Sequence, residues 1–353
     1  MKLAARMTAT GAYLPERVLT NAELERLVDT SNDWIVERTG IRERRIAGAD
    51  ESSSTLGTEA ALRALASAGV SGEEIDLVIA ATCTPDGMFP AVATRIQHAI
   101  GAVRATSFDV NAACTGFLSA LMTGAQFIQT GSSRRALIVG TETMSRIVDW
   151  TDRGTCVLFG DGAGAVLLEP SAPGEPGAIE SMVLVSDGSQ ADSLYATGPC
   201  AVGDPLGASD VVGAAGPARA PRIVMDGRAV FRTAVQEMTN ACQQALAAAR
   251  IGVEQVKLCV PHQANERILS AVARNLGLPM ERMFVNLDRY GNTSSATIPV
   301  ALTEANEAGL LQPGDRVLLT AIGGGVTWGA AVVEWAQVPA PVAADAALAA
   351  AAH

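Results

Sequence analysis

A cysteine, Cys114, stands in "NAACTGFLSALMTGAQFIQTG", residues 111 to 131, behind small and polar residues and ahead of an apolar stretch of helix length. A thiol at a helix start meets unpaired N–H groups and the positive end of the helix dipole, which lower its pKa and favour the nucleophilic thiolate. A packed thiol in the same place would be a small inert hydrophobe. Thr115 and Gly116 leave room for a substrate, and residues 117, 118, 121, 122, 125, 127 and 128 are apolar on more than one helical face. That pattern predicts a buried helix, and a buried helix holds its first residue rigidly.

Three histidines can be weighed one by one. His98 lies in the helical stretch "RIQHAIGA" and reads as structural; His353 ends the chain. His262 follows an apolar strand and a proline in "VKLCVPHQANERIL", where the chain turns into a helix. Strand ends that meet helix starts are where α/β proteins gather ligand sites, although a lone histidine there also serves as a turn residue. Asn292, in "DRYGNTSSATIPVAL", taken alone is turn and cap chemistry. Cysteine, histidine and asparagine in this order also describe papain-like proteases, but "AACTGF" lacks the C-G-x-C-W surroundings of that nucleophile.

These residues need elements to position them. The chain has 353 residues, 48% hydrophobic, enough for two domains or one large duplicated fold, and helix-length segments alternate with strand-length ones, predicting an α/β class. In the first half we read a short helix capped by Asn21, a polar segment carrying Trp34, Arg38, Arg42, Arg44 and Arg45, and then alternating helices and strands up to "DRGTCVLFGDGAGAVLLEP". Residues 171 to 221 are rich in Gly, Pro, Ala and Ser and read as an extended excursion. The second half repeats the alternation, with "MFVNLD" as one of its strands and "RVLLTAIGGG" near its end. "FGDGAGAVLLE" and "GGGVTWGAAVVEW" resemble each other, which suggests an internal duplication. "GDGAGA" runs into a strand instead of opening a helix, so the dinucleotide fingerprint fails. The division expected is residues 1–170 and 171–338, followed by a low-complexity tail, 339–353.

Six cysteines without C-x-x-C pairs suggest neither a disulfide framework nor a metal site, and a cytoplasmic setting is expected. The N-terminus meets Gly, Pro and charge before any long apolar stretch, so no membrane span is expected. A net charge of −11 argues against a nucleic-acid partner, and an acidic partner would need a local arginine cluster.

Taken together, "FDVNAACTGF", "DRGTCVLFGDGAGAVLLE", "VPHQANERI", "GNTSSATIP" and "GGGVTWGAA", in this order after "TNAELERLVDTSNDWIVERTGIRERRIA", resemble the β-ketoacyl-acyl-carrier-protein synthase III family of thiolase-like condensing enzymes, from about residue 8 to 335. The resemblance implies a thiolase fold, with duplicated halves in five layers, α-β-α-β-α, in a homodimer. It implies decarboxylative condensation of an acyl-CoA starter with malonyl-acyl-carrier protein, initiating fatty acid synthesis, with no metal or other cofactor. A related condensing enzyme or acyltransferase of specialised metabolism, using a non-acetyl acyl-CoA, is the alternative.

By resemblance Cys114, His262 and Asn292 are the catalytic three: the thiolate takes the acyl group, and His262 Nε2–H and the Asn292 amide stabilise the enolate. The N–H groups of Cys114 and Gly324 form the oxyanion hole. Trp34 and Arg153 sandwich the CoA adenine, Arg38 meets the phosphates, and Asn265 the pantetheine amides. Gln263, Ala264, Asn265, Glu266 and Arg267 match the carrier-protein docking segment, extended by Arg228, Arg232 and Arg274. Phe89 reaches across the dimer into the partner's acyl pocket, and Ile322, where the family often has an aromatic, implies a pocket roomier than acetyl needs.

Overall fold

The computed structural model describes residues 4–171, 175–197, 222–336 and 338–339. In chain order, strand β1 (Ala4–Tyr13) is followed by a small antiparallel pair, β2 (Val18–Thr20) and β3 (Glu43–Arg45), with helices α1 (Asn21–Leu24) and α2 (Asn32–Thr39) between them. Then come α3 (Ser53–Ala68), β4 (Leu77–Ala81), α4 (Val92–Ala99), β5 (Thr106–Val110), α5 (Gly116–Thr130), β6 (Ala136–Thr143) and β7 (Asp161–Ser171). The second half has β8 (Ile179–Ser186), a short pair β9 (Leu194–Ala196) and β10 (Ile223–Met225), α6 (Gly227–Ala249), β11 (Val256–Pro261), α7 (Glu266–Leu276), α8 (Leu287–Tyr290), α9 (Thr297–Glu307), β12 (Arg316–Gly323) and β13 (Thr327–Glu334).

The first sheet runs β1-β7-β6-β4-β5 and the second β11-β12-β13-β8. In the first, β4 pairs parallel with β6, β6 antiparallel with β7, and β7 antiparallel with β1; β11, β12, β13 and β8 repeat that order and those senses. The two glycine-led segments lie on the equivalent strands β7 and β13, so their likeness reflects a shared structural position.

Three buried clusters mark the layers. One packs α3 and α4 on the outer face of the first sheet, a second holds α5 and α9 between the sheets, and a third lies between the second sheet and α6 and α7. The result is helix, sheet, helix, sheet, helix. Helix α5 is central because its Phe117, Leu118, Leu121 and Ile128 are fully buried, and burial of such a side chain stabilises by about 1.5–3 kcal/mol.

The expected excursion over 171 to 221 contains β8 and β9; residues 198–221 of it lie outside the described residues, as does nearly all of the 339–353 tail with His353. "MFVNLD" forms no strand: it touches β11 only through the bridge between Cys259 and Met283, and the chain then enters α8. The cap of α1 is Thr20, in a capping box with Glu23. Asn21 lies inside the helix, its side chain donating to Ile41 O and accepting from the buried Arg44 guanidinium.

Candidate active site

Cys114 lies one step before its expected place. Residues 113–115 form a 3₁₀ turn, and α5 begins at Gly116. Ala113 takes a left-handed backbone, φ 45°, to enter the turn. Across the molecule α9 is entered in the same way: Ser294–Ala296 form a 3₁₀ turn, Ser294 has φ 49°, and the two turns pack against each other. A non-glycine residue at such a φ is uncommon and costs of order 1–3 kcal/mol. That both halves hold one at their helix entry marks the seam between them as the place where geometry was kept against local preference.

The expected effect of the helix start on Cys114 is overruled. Burial pushes its thiol pKa from 9.0 up to about 12, the nearby Ser294 hydroxyl pulls the other way, and the buried carboxylate of Glu142 adds to the rise. A helix terminus contributes at most about 2 kcal/mol, less than removing a thiolate from water costs here. The Cys114 thiol is therefore held in its protonated form.

His262 follows β11, and its backbone N–H extends the ladder by donating to Thr320 O at 2.7 Å. Its ring is buried, which drives the pKa down from 6.5 to about 3, so the imidazole is neutral. Nδ1 lies 2.8 Å from Thr297 Oγ1, which is also 3.0 Å from Ser294 O. The direction of the Thr297 proton sets the tautomer: donated to Nδ1, it leaves Nε2 carrying hydrogen as a donor; donated to Ser294 O, it leaves Nε2 as an acceptor.

Asn292 is tied to the segment that leads into β7, within the half that carries Cys114. Its N–H donates to Leu158 O at 2.8 Å, and its carbonyl accepts from Gly160 N at 3.1 Å. The side-chain oxygen accepts from Ser294 N at 2.8 Å, so the amide has its NH2 end to offer a ligand.

Cys114, His262 and Asn292 line one cavity of about 1420 Å³, together with Trp34, Arg38, Met88, Asn265, Arg267, Ile322 and Gly324. Gly323 is required behind Cys114, since a Cβ there would lie 2.7 Å from Cys114 N. Both Arg38 and Arg153 place their guanidinium carbon 4.8 Å from the Trp34 ring centroid. An intervening adenine needs about 7 Å between its neighbours, so Arg153 has to move outward before the expected sandwich can form.

The docking segment divides. Gln263 is buried; its amide donates to Pro261 O and Phe284 O and accepts from Asn286 N, so it presents nothing to a partner. Asn265 caps α7 by accepting from Arg267 N, and it donates to Arg38 O, so its side chain joins α7 to the end of α2. Glu266 and Arg267 are exposed, Ala264 half-buried. Arg228 and Arg232 are exposed at the cavity alongside Arg267, whereas exposed Arg274 does not line it. Phe89 is 86% exposed and lines none of its own chain's cavity.

Sequence reading missed Cys83, Glu142 and Ser294, three buried or half-buried groups beside the nucleophile. Each is an ordinary residue in its segment, and they meet across separations of 59 and 211 positions.

Two family models describe this architecture. 3-Oxoacyl-ACP synthase III matches residues 108–188, and 3-oxoacyl-ACP synthase III C terminal matches residues 246–335. A β-ketoacyl-acyl-carrier-protein synthase III from a Roseiflexus species is 50% identical over 94% of this chain and 98% of its own. The chain belongs to the synthase III family. The Erythrobacter litoralis synthase III is 48% identical over 94% of this chain and 99% of its own. The crystal structure of the Aquifex aeolicus enzyme shares 43% identity with a TM-score of 0.85, covering 94% of this chain and all of that one. The fold is thus the thiolase fold of that family, and the chain is an acyltransferase of the condensing type. Among the described residues no helix is long and apolar enough to cross a membrane.

Proposed function

We infer that this synthase III condenses an acyl-CoA starter with malonyl-acyl-carrier protein, giving a 3-oxoacyl-carrier protein, CoA and carbon dioxide, and so initiates fatty acid synthesis. The observation that carries the reading is the meeting of Cys114, His262 and Asn292 on one cavity in a chain half identical to curated members of the family. Cys114 Sγ attacks the starter thioester, and the N–H groups of Cys114 and Gly324 receive the tetrahedral oxyanion; losing one such donor typically costs on the order of 10²–10³ in rate. CoA leaves, and malonyl-carrier protein takes its place. Decarboxylation yields an enolate whose oxygen is held by His262 Nε2–H and the Asn292 NH2, and its carbon attacks the acyl group on Cys114. The scheme asks for nothing beyond its thioester substrates.

Trp34, Arg38 and Arg153 receive the CoA nucleotide, and Asn265 stands at the pantetheine's path. Arg228, Arg232 and Arg267 supply positive charge for an acidic carrier on a protein of net charge −11. The exposure of Phe89 supports a homodimer in which that ring enters the partner's site, and the two halves, 1–170 and 171–338, divide acyl carriage from enolate stabilisation. The chemistry belongs to the cytoplasm. Leu194, Ile223, Phe231 and Ile322 line the cavity without an aromatic at 322, favouring starters longer than acetyl. Incubation with an acyl-CoA panel, mass analysis of Cys114, and addition of malonyl-carrier protein test the reading. Acylation followed by a 3-oxoacyl product is expected; hydrolysis alone, or no adduct, overturns it.

A further inference from the structure

The two donors proposed for the enolate come from different segments, and one residue aims both. Ser294 N–H donates to Asn292 Oδ1 at 2.8 Å, which leaves the NH2 end of the amide for the cavity that Asn292 lines. Ser294 O accepts from Thr297 Oγ1 at 3.0 Å, and Thr297 Oγ1 lies 2.8 Å from His262 Nδ1. Ser294 serves both from a left-handed backbone, φ 49°, which a serine rarely adopts and which its surroundings must enforce.

The enforcing contact comes from the other half. Strand β6 meets the 294–296 turn with two residues of one face, Gly140 and Glu142. Gly140 lets the backbones touch, and Glu142 Oε1 accepts from Ser295 Oγ at 2.8 Å. Ser295 Oγ also lies 2.8 Å from Ala81 O, at the end of β4. The other carboxylate oxygen of Glu142 accepts from Thr84 Oγ1 at 2.6 Å and Cys83 N at 3.0 Å. Glu142 is fully buried and belongs to none of the ion pairs among the described residues. A buried carboxyl without a cation is costly to keep, and here it joins the end of β6 and the segment after β4 to the turn that enters α9. The turn of Cys114 does not hang on it: Thr115 N and Oγ1 donate to Ala112 O at 3.1 and 2.7 Å, and Ala113 N donates to Asn111 Oδ1 at 3.3 Å.

We propose that Glu142 is a positioning residue for the condensation step: through Ser295 it fixes the turn from which Ser294 aims Asn292 and, by way of Thr297, His262.

The proposal rests on the condensing reading, and its test separates the two. Glu142→Ala, Glu142→Gln, Ser295→Ala and the double variant joining Glu142→Ala with Ser295→Ala are compared with the parent in three measurements. These are the burst of CoA released from acyl-CoA, the 3-oxoacyl product formed by pre-acylated enzyme with malonyl-carrier protein, and the ring ¹⁵N shifts of His262, assignable among three histidines. Condensation is expected to slow about 10²-fold in Glu142→Ala and in Ser295→Ala while the CoA burst keeps the parent's rate. The double variant should be no slower than the slower single one, since both changes cut the same bond. Glu142→Gln should condense close to the parent's rate: its amide oxygen accepts from Thr84 and Cys83 N, and its NH2 donates to Ser295 Oγ, which then donates to Ala81 O. Without substrate, the ring shifts should move in Glu142→Ala and hold in Glu142→Gln. A parent that no acyl-CoA acylates overturns the condensing reading, and the ring shifts then decide the positioning role. Condensation at the parent's rate in Glu142→Ala, equal loss in both half-reactions, losses that multiply in the double variant, Glu142→Gln as slow as Glu142→Ala, or unmoved ring shifts overturns it. Should Glu142→Ala fail to fold, Ser295→Ala, which removes a single oxygen, takes its place in each comparison.

Discussion

Cys114 and His262 are opposite cases of one effect, since burial withholds charge from both. The thiol needs help to ionise, and the imidazole stays neutral across the working range. Without substrate, alkylation of Cys114 by iodoacetamide should therefore keep rising past pH 9.0, the thiol's ordinary value; a plateau near neutral pH would mean that the helix entry dominates after all. Thr297 decides what His262 can donate, because its hydroxyl is the partner of Nδ1. Thr297→Val should leave acylation of Cys114 intact and slow condensation by about 10²-fold, measured as 3-oxoacyl product from pre-acylated enzyme. Equal loss in both half-reactions would place Thr297 elsewhere in the mechanism.

At the scale of elements, the site depends on how closely strand ends approach two helix entries. A Cβ on Gly323 would sit 2.7 Å from Cys114 N and 3.0 Å from Thr115 N, and one on Gly140 would sit 2.4 Å from Ser295 O. Gly323→Ala should displace Cys114 N from the Gly324 N–H with which it is proposed to form the oxyanion hole, lowering the acylation rate by about 10²-fold while the far-ultraviolet circular dichroism stays unchanged; full acylation in that variant would show that the turn yields without consequence. The elements carrying these residues were legible because Cys114 and Asn292 stand just ahead of apolar helical stretches and His262 just behind an apolar strand. Gln263 was misread because docking segments are recognised as contiguous strings, whereas α7 starts at Glu266 and the residues before it turn inward. Strand β8 was hidden in a Gly- and Pro-rich region, since its partner β13 lies about 150 residues away and no local pattern announces that pairing. Cys83 and Glu142 share the second difficulty: the thiol and the carboxylate meet only when β4 and β6 lie side by side.

For the whole molecule, the buried charges set how stability responds to acid. The folded state holds His262 neutral down to about pH 3, while the unfolded chain takes up that proton near 6.5. Below 6.5 the unfolded state binds more protons, so His262 removes about 1.4 kcal/mol of stability per pH unit. Glu142 and Asp161, whose pKa values burial raises, take up protons more readily when folded and oppose this trend lower in the range. The urea midpoint of the parent should fall between about pH 6.5 and about pH 5. His262→Gln should flatten that fall, and identical slopes in the two proteins would assign the acid sensitivity to other groups.

The cavity lies on the seam where the two 3₁₀ turns meet, with Trp34 and Arg38 on the first half and Asn265, Arg228 and Arg267 on the second. A CoA thioester lying across it, as proposed, would act as a stitch through a joint. Saturating CoA, at about a hundred times its dissociation constant, should add about 2.7 kcal/mol to the unfolding free energy. In hydrogen exchange, the slowing should appear on both margins of the joint, at α2 and at α7. Protection confined to one margin would mean that the nucleotide anchors without stitching, and that the halves are free to breathe while the nucleophile is loaded.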